Sequence, residues 1–491
     1  MQWQRQRLRG PDVPLAAGPA GVETGGVKAL KKLVLSGKSV LPLIEGGKGI
    51  AISTGASAGA WAAAGAVGTF SGVNADFYDE NGRMVEVTYR GKTRQERHDE
   101  LIDYGIRGGT AQARIAHDVS GGEGRIHMNV MWEMGGCERI LDGILTQAKG
   151  LVHGVTCGAG MPYRLAEIAA KYGVYYYPIV SSARAFRALW KRAYHKGREW
   201  LGGVVYEDPW LAGGHNGLSN SESPTAPQPP FPRVADLRRE MNAVGLDEVP
   251  VVMAGGVWSL AEWEDWIDNP EIGKVAFQLG TRPMLTKESQ IPESWKRKLL
   301  TLDPGDVLLH RFSPTGFYSS AVRNGFLNDL VARSERQIPF AAEASAEFDA
   351  KFPLGERGRV VYIRAHDRAK ADSYAAEGFT RALKTPDGTL VFVTEAQVHR
   401  ILKDQGECMG CLSACLFSNW SQNEAGTTGK KPDPRSFCIQ KTLQAIAHAG
   451  DTEGELMFAG HNAHRFKTDP FYRNGHIPTV KELIARLLAG G

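Results

Sequence analysis

Eight short apolar segments alternate with amphipathic segments between residues 40 and 279, and this alternation limits the folds open to the chain. The apolar segments are predicted as strands, namely Val40–Glu45, Ala66–Phe70, Ile126–Met131, Leu151–Thr156, Val174–Val180, Gly203–Tyr206, Val249–Ala254 and Lys274–Leu279. Val249–Ala254 carries no polar side chain, which is typical of parallel strands buried on both faces. Eight strand–helix units favour a closed barrel over an open sheet, so we predict an α/β fold, a (β/α)8 TIM barrel.

Helical spacing of apolar residues predicts the crossovers between these strands. The predicted helices are Ala56–Ala64, Arg94–Ala116, Cys137–Ala148, Pro162–Tyr172, Ala183–Tyr194, Arg233–Val244 and Ser259–Ile267. A helical stretch, Glu293–Arg333, is expected to follow the barrel.

Past this stretch the pattern changes to that of a smaller α+β module. Two strands, Thr380–Lys384 and Thr389–Thr394, flank the turn signal Pro386-Asp387-Gly388 and predict a hairpin. The predicted organisation is an N-terminal extension at 1–38, the barrel with its closing helices at 39–335, the α+β module at 336–445 and a C-terminal helical segment at 446–491. Thr479 is predicted to cap the last helix. Gly460–Phe466 is expected to be a surface loop, with packing against the barrel mouth or the cysteine cluster as the alternative.

Charge and hydropathy exclude several classes of partner. The formal net charge of +4 is small for 491 residues, so neither nucleic acid nor an anionic membrane is expected as a partner. The chain has no uninterrupted apolar stretch long enough to span a membrane. The basic N-terminus is not followed by the apolar segment that a secretory signal needs, and a cytoplasmic location is therefore expected.

Glycine-bearing strand ends indicate a binding site. The sixth, seventh and eighth predicted strands are followed by Ala212-Gly-Gly-His-Asn-Gly217, Ala254-Gly-Gly-Val257 and Gln278-Leu-Gly-Thr281. Glycines at the carboxyl ends of barrel strands let backbone N–H groups approach a phosphate. One such pair is more often a plain turn, whereas three in order favour a ligand site.

These three motifs resemble those of the nitronate monooxygenase family, formerly called 2-nitropropane dioxygenases. The first strand–helix–strand unit and Thr315–Asn324 are similar to that family as well, so the resemblance covers about residues 40–330. Flavin-type enoyl reductases share the same barrel. The cysteine-rich C-terminal part is an extension that typical members lack.

The resemblance implies an FMN across the barrel mouth. It places the phosphate at Gly255, Gly256, Gln278, Gly280 and Thr281 and the flavin ring near Asn129. Gly46, Gly47 and Gly214 complete the cofactor set that we predict. Where the family usually has Pro-Met after the first strand, this chain has Glu45-Gly-Gly-Lys48. The residues before Ala212 are also larger than usual, and both stretches border the substrate.

The resemblance also makes His215 the catalytic histidine. An imidazole titrates near neutrality, so it can accept a carbon-bound proton or, when charged, hold a nitronate. The alternative is a loop histidine that caps backbone groups. Glu207 and Asp208 follow the sixth strand and are expected to be solvated, with a role as acid/base groups as the alternative.

Four of the six cysteines form a separate cluster near the C-terminus. Cys408, Cys411 and Cys415 have the spacing C-x2-C-x3-C, and Cys438 follows after 22 residues. Three close thiolates and one distant one favour a [4Fe–4S] cluster, with structural zinc and plain buried thiols as alternatives. Cys137 and Cys157 are expected to be buried structural thiols.

These features predict an FMN-dependent oxidoreductase, a monooxygenase that oxidises a small nitronate-like molecule. O2 or another acceptor would reoxidise the flavin. One alternative is an NAD(P)H-dependent reductase of enoyl thioesters or quinones on the same barrel, which would bring NAD(P)H or another redox partner. The other is a metal-cluster interaction protein without catalysis.

Overall fold

The computed structural model describes residues 28–78, 84–354 and 359–491, and it contains the predicted barrel. Eight parallel strands form it: β1 Leu43–Glu45, β2 Val67–Ser71, β3 Arg125–Met131, β4 Gly154–Gly158, β5 Tyr175–Val180, β6 Val204–Glu207, β7 Val251–Ala254 and β8 Val275–Leu279. The sheet closes where β8 pairs with β1, with Phe277 opposite Leu43. The (β/α)8 prediction is confirmed, and most of residues 1–38 lies outside the described residues.

Apolar strands build the barrel because both of their faces are covered. Val251, Val252 and Met253 of β7 are fully buried, as their unbroken apolar run predicted. β1 is shorter than predicted because Lys38–Val40 instead forms an antiparallel hairpin with Leu33–Leu35. Leu35 and Val40 pack against interior barrel residues, so this hairpin contributes to the barrel core.

Six of the predicted crossover helices are present: Gly55–Ala63, Arg94–Ser120, Cys137–Gln147, Leu165–Tyr172, Ala183–Arg192 and Pro230–Asn242. The longest begins with a capping box at Thr93 and ends at Gly121, which has φ of 60°. The helix predicted at Ser259–Ile267 is wrong in type. It is a 3-10 segment, Leu260–Trp266, kinked at Trp263, where close packing of Trp263 on Trp266 overrides the helical pattern.

The continuous helical stretch predicted at Glu293–Arg333 is also wrong. Two helices, Glu293–Leu299 and Gly325–Glu335, enclose the antiparallel strands Val307–His310 and Ser319–Val322. Ser319–Val322 also pairs with the short strand Gly214–His215, so a partner about 100 residues away decides its structure.

Smaller sheets and helices form the C-terminal part. Gln337–Pro339, Thr389–Val393 and Arg381–Lys384 make one antiparallel sheet, which contains the predicted hairpin, and Ala350–Leu354 pairs with Arg359–Ile363. The α-helices are Arg368–Ala376, Glu395–Gly406, Ile439–His448, the short Arg465–Thr468 and Val480–Leu488. The last has the predicted Thr479 cap, extended to a capping box by Glu482. No helix in the described ranges is long and apolar enough to cross a membrane.

Candidate active site

A cavity opens at the carboxyl end of the barrel strands and gathers every residue that we predicted for cofactor binding or catalysis. It encloses about 1630 Å³, its open mouth included. The predicted residues in its wall are Gly46, Gly47, Asn129, Gly214, His215, Gly255, Gly256, Gln278, Gly280 and Thr281. They come from the ends of β1, β3, β7 and β8 and from the loop after β6, which is where barrels of this type carry their sites.

The glycines after β1 allow two backbone segments to meet. The N–H of Gly46 donates to the carbonyl of Leu279 at 2.8 Å, and a Cβ on Gly46 would lie 3.1 Å from Cα of Gly280. A Cβ on Gly47 would lie 2.1 Å from Cβ of Asn129, closer than two carbons can approach. Only glycine fits there, and this bare backbone forms the cavity wall beside Asn129.

The turns after β7 and β8 expose backbone to the cavity. Gly255 and Gly256 have φ of 86° and 81°, a left-handed conformation that glycine adopts without strain. A Cβ on Gly280 would meet no atom within 4 Å, so the space in front of it is open. This strand-end backbone is sterically suited to a phosphate.

A segment near the C-terminus, Leu456–Gly460 with Asn462, completes the cavity wall. Asn462 Nδ2 donates to the carbonyl of Gly256 at 2.7 Å, and the N–H of Gly460 donates to Thr281 Oγ1 at 2.8 Å. The favoured expectation of a surface loop for Gly460–Phe466 was therefore wrong, and the alternative, packing against the barrel mouth, is what the structure has. The β7 and β8 turns bind this segment across about 200 residues of chain, a contact that local pattern does not reveal.

His215 stands on the cavity wall with a defined orientation. Its Nε2 lies 2.7 Å from Ser313 Oγ, which is 2.8 Å from Thr315 Oγ1. The ring meets Phe458 edge-on, with 5.3 Å between centroids. Burial lowers the pKa of His215 to about 4, so the imidazole is neutral near pH 7.

Glu207, at the end of β6, is an acidic side chain that we had expected to be solvated. It lines the cavity, and burial together with the neighbouring Asp208 carboxyl raises its pKa to about 8. Asp208 is buried and accepts the N–H groups of Trp210 and Leu211, both at 2.9 Å, which makes it a turn-forming residue. The expected solvation of this pair was wrong. The sequence signal that could have indicated this burial was an acidic residue directly after an apolar strand.

Glu45 and Lys48 form a second polar pair beside the cavity. Lys48 Nζ lies 3.2 Å from Glu45 Oε1 and donates to the carbonyl of Gly46 at 2.6 Å. Ser57 Oγ donates to the same carboxylate oxygen at 2.8 Å. Burial raises the pKa of Glu45 and lowers that of Lys48. Lys48 reaches the cavity wall, so an amine lies where the family motif has Pro-Met.

The four clustered cysteines are all buried, and Cys411 itself lines the cavity. Among the residues described, no three His, Cys, Asp or Glu side chains are arranged to hold one metal ion. Cys137 and Cys157 are buried free thiols, as expected, and burial raises the pKa of both.

One solved structure has a similar fold, and a second is more distantly similar. A nitroalkane oxidase from Streptomyces ansochromogenes superposes with a TM-score of 0.50 at 16% identity, covering 91% of this chain and 95% of that one. FabK from Thermotoga maritima gives a TM-score of 0.43 at 14% identity, covering 91% of each chain. No curated protein matches the sequence.

The family profile for nitronate monooxygenase matches residues 128–490, which is well over half of the chain. This match runs through the C-terminal part that we had treated as an extension, and it includes the segment that completes the cavity wall. The chain therefore belongs to the nitronate monooxygenase family and is an oxidoreductase.

Proposed function

We propose that the chain binds FMN in this cavity and oxidises a small, acidic carbon substrate of the alkyl nitronate type. The observation that carries the proposal is the convergence of nine predicted cofactor residues and His215 on one cavity. O2 or another acceptor would take up the electrons. The nitroalkane oxidase likeness and the family support a substrate of this class.

The residues present fit the cofactor. Backbone N–H groups of Gly255, Gly256, Gly280 and Thr281 would hold its phosphate, since left-handed glycines and an open space allow close approach. Gly47 and Asn129 would lie beside its ring. When bound, FMN supplies a two-electron acceptor, and the side chains around it handle the substrate and its proton.

Two neutral groups suit an anionic substrate. His215 is neutral near pH 7, so it can accept the proton that carbon loses when a nitroalkane becomes a nitronate, or donate its ring N–H to a nitronate oxygen. Glu207 is protonated at the same pH and donates a hydrogen bond to a substrate oxygen without adding negative charge. The Lys48 amine adds a further donor on the wall.

Anaerobic reduction of the flavin distinguishes the candidate activities. A preformed nitronate is expected to bleach the flavin faster than NADH or NADPH does. With the parent nitroalkane, whose carbon-bound proton must first be removed, His215→Ala is expected to slow bleaching by about 100-fold, as for loss of a general base. Preferential bleaching by NADH or NADPH would instead assign an enoyl or quinone reductase. Turnover that survives His215→Ala intact would contradict the proposed role of the histidine.

The location is proposed on separate grounds. All six cysteines are free thiols and none forms a disulfide. Reduced thiols persist in a reducing compartment, so we place the enzyme in the cytoplasm. Its proposed partners are a small-molecule substrate and an electron acceptor.

A further inference from the structure

The segment that carries three of the clustered cysteines, residues 407–421, is bound to the barrel mouth. The N–H of Gly135 donates to the carbonyl of Cys411 at 2.9 Å, and the N–H of Ser413 donates to that of Glu133 at 2.8 Å. Met134 and Leu412 form a β-bridge between these contacts. The segment is therefore held on the loop after β3, immediately beside Asn129 and the cavity.

The four sulfurs are brought together, since Cys411 interacts electrostatically with Cys408, Cys415 and Cys438. The N–H of Gly410 donates to Cys408 Sγ at 3.5 Å, and Ser418 Oγ lies 3.1 Å from the same sulfur. The fourth cysteine, Cys438, directly precedes the helix Ile439–His448.

This arrangement places four free thiols together in the interior. All four side chains are at least nine-tenths buried. Thiolate is the form in which cysteine binds a metal, and four buried thiolates side by side need a cationic centre to neutralise them.

We propose that Cys408, Cys411, Cys415 and Cys438 hold a [4Fe–4S] cluster at the wall of the cavity. Four thiolates are the ligand set of such a cluster, and amide donors to its sulfur ligands are among the features that set its potential. A single zinc ion needs its ligands to converge on one point, an arrangement that residues in the described ranges do not show. A cubane binds one thiolate at each of four separate iron atoms, so its ligands stand further apart.

The position of the cluster beside the cavity indicates a redox role. This role rests on the proposed function. Cys411 and its neighbour Leu412 line the cavity in which FMN is proposed to bind, and so does Gln440. A substrate oxidised there loses two electrons, and a cluster at this wall accepts and releases one electron at a time. Two molecules of a one-electron carrier protein would each take up one electron per turnover. The acceptor would then be such a carrier in place of O2.

The test uses the full-length protein purified without oxygen. We expect about four iron and four acid-labile sulfide per chain, and an electron paramagnetic resonance signal after reduction with dithionite. Cys408→Ala and Cys438→Ala are expected to lose most of that iron while retaining flavin. Cys137→Ala and Cys157→Ala are matched controls, because they remove buried thiols outside the cluster and should retain iron.

Three results would overturn the proposal: one zinc per chain without sulfide, four free thiols without metal, or iron that Cys408→Ala leaves in place. The wild-type metal content decides the question even if a variant fails to fold. Iron and sulfide in a protein that binds no flavin would retain the cluster and refute the proposed function. Flavin in a protein without metal would support the proposed function and refute the cluster.

Discussion

Glu207 offers the sharpest test of the chemistry in the cavity. Its pKa is raised to about 8, so the carboxyl is about nine-tenths protonated at pH 7 and about nine-tenths ionised at pH 9. If only the protonated form assists an anionic substrate, kcat/KM for a nitronate should fall about tenfold per pH unit above pH 8. Glu207→Gln keeps a hydrogen-bond donor that cannot ionise, so this variant should have no such decrease.

Preformed nitronate is the substrate for this assay, so that ionisation of the nitroalkane does not enter the profile. Glu240→Gln is the control, because that carboxylate is bound to Arg187 outside the cavity. The control should keep the wild-type decrease. A decrease that persists in Glu207→Gln would refute the reasoning and assign the ionisation to another group, such as Lys48, whose pKa burial lowers.

Three further predictions concern the fold around the site. Gly47→Ala would drive its Cβ into Asn129, costing about 1–3 kcal/mol and weakening FMN binding in a titration, whereas Gly406→Ala, with open space around it, should change neither. Arg282→Leu would leave the Asp469 carboxylate without its buried cation and should lower the unfolding free energy in urea by about 3–5 kcal/mol; an unchanged midpoint would contradict this. His127 has its pKa lowered to about 3 by burial, so only the unfolded chain binds a proton below pH 6.5. Stability should therefore fall by about 1.4 kcal/mol per pH unit from this group as pH drops below 6.5, and less in His127→Gln.

The barrel was predictable because its signals are local. Each strand and the helix that follows it lie within a few tens of residues of sequence. The segments that we predicted as barrel strands form strands in the structure. The cofactor residues were named from the family resemblance, and they line one cavity because parallel strands bring their carboxyl ends to one face. His215 lines the same cavity because it follows β6, whose carboxyl end faces the barrel mouth.

What the sequence missed depends on contacts between distant segments. Ser319–Val322 is a strand because Gly214–His215 pairs with it, and the composition of that stretch alone is compatible with a helix. Asn462 reaches Gly256 across some 200 residues, and nothing near Asn462 in the chain indicates a cavity. The raised pKa of Glu207 arises from burial, which is a property of the assembled wall.

The central claim is that bare backbone after β1, β7 and β8 holds a flavin next to His215. The most direct measurement is the flavin content of the purified protein, obtained by releasing and identifying the cofactor and by titrating any unloaded fraction with FMN. The account predicts about one FMN per chain, with uptake weakened in Gly47→Ala. A folded wild-type protein that carries no flavin and takes up none would contradict it.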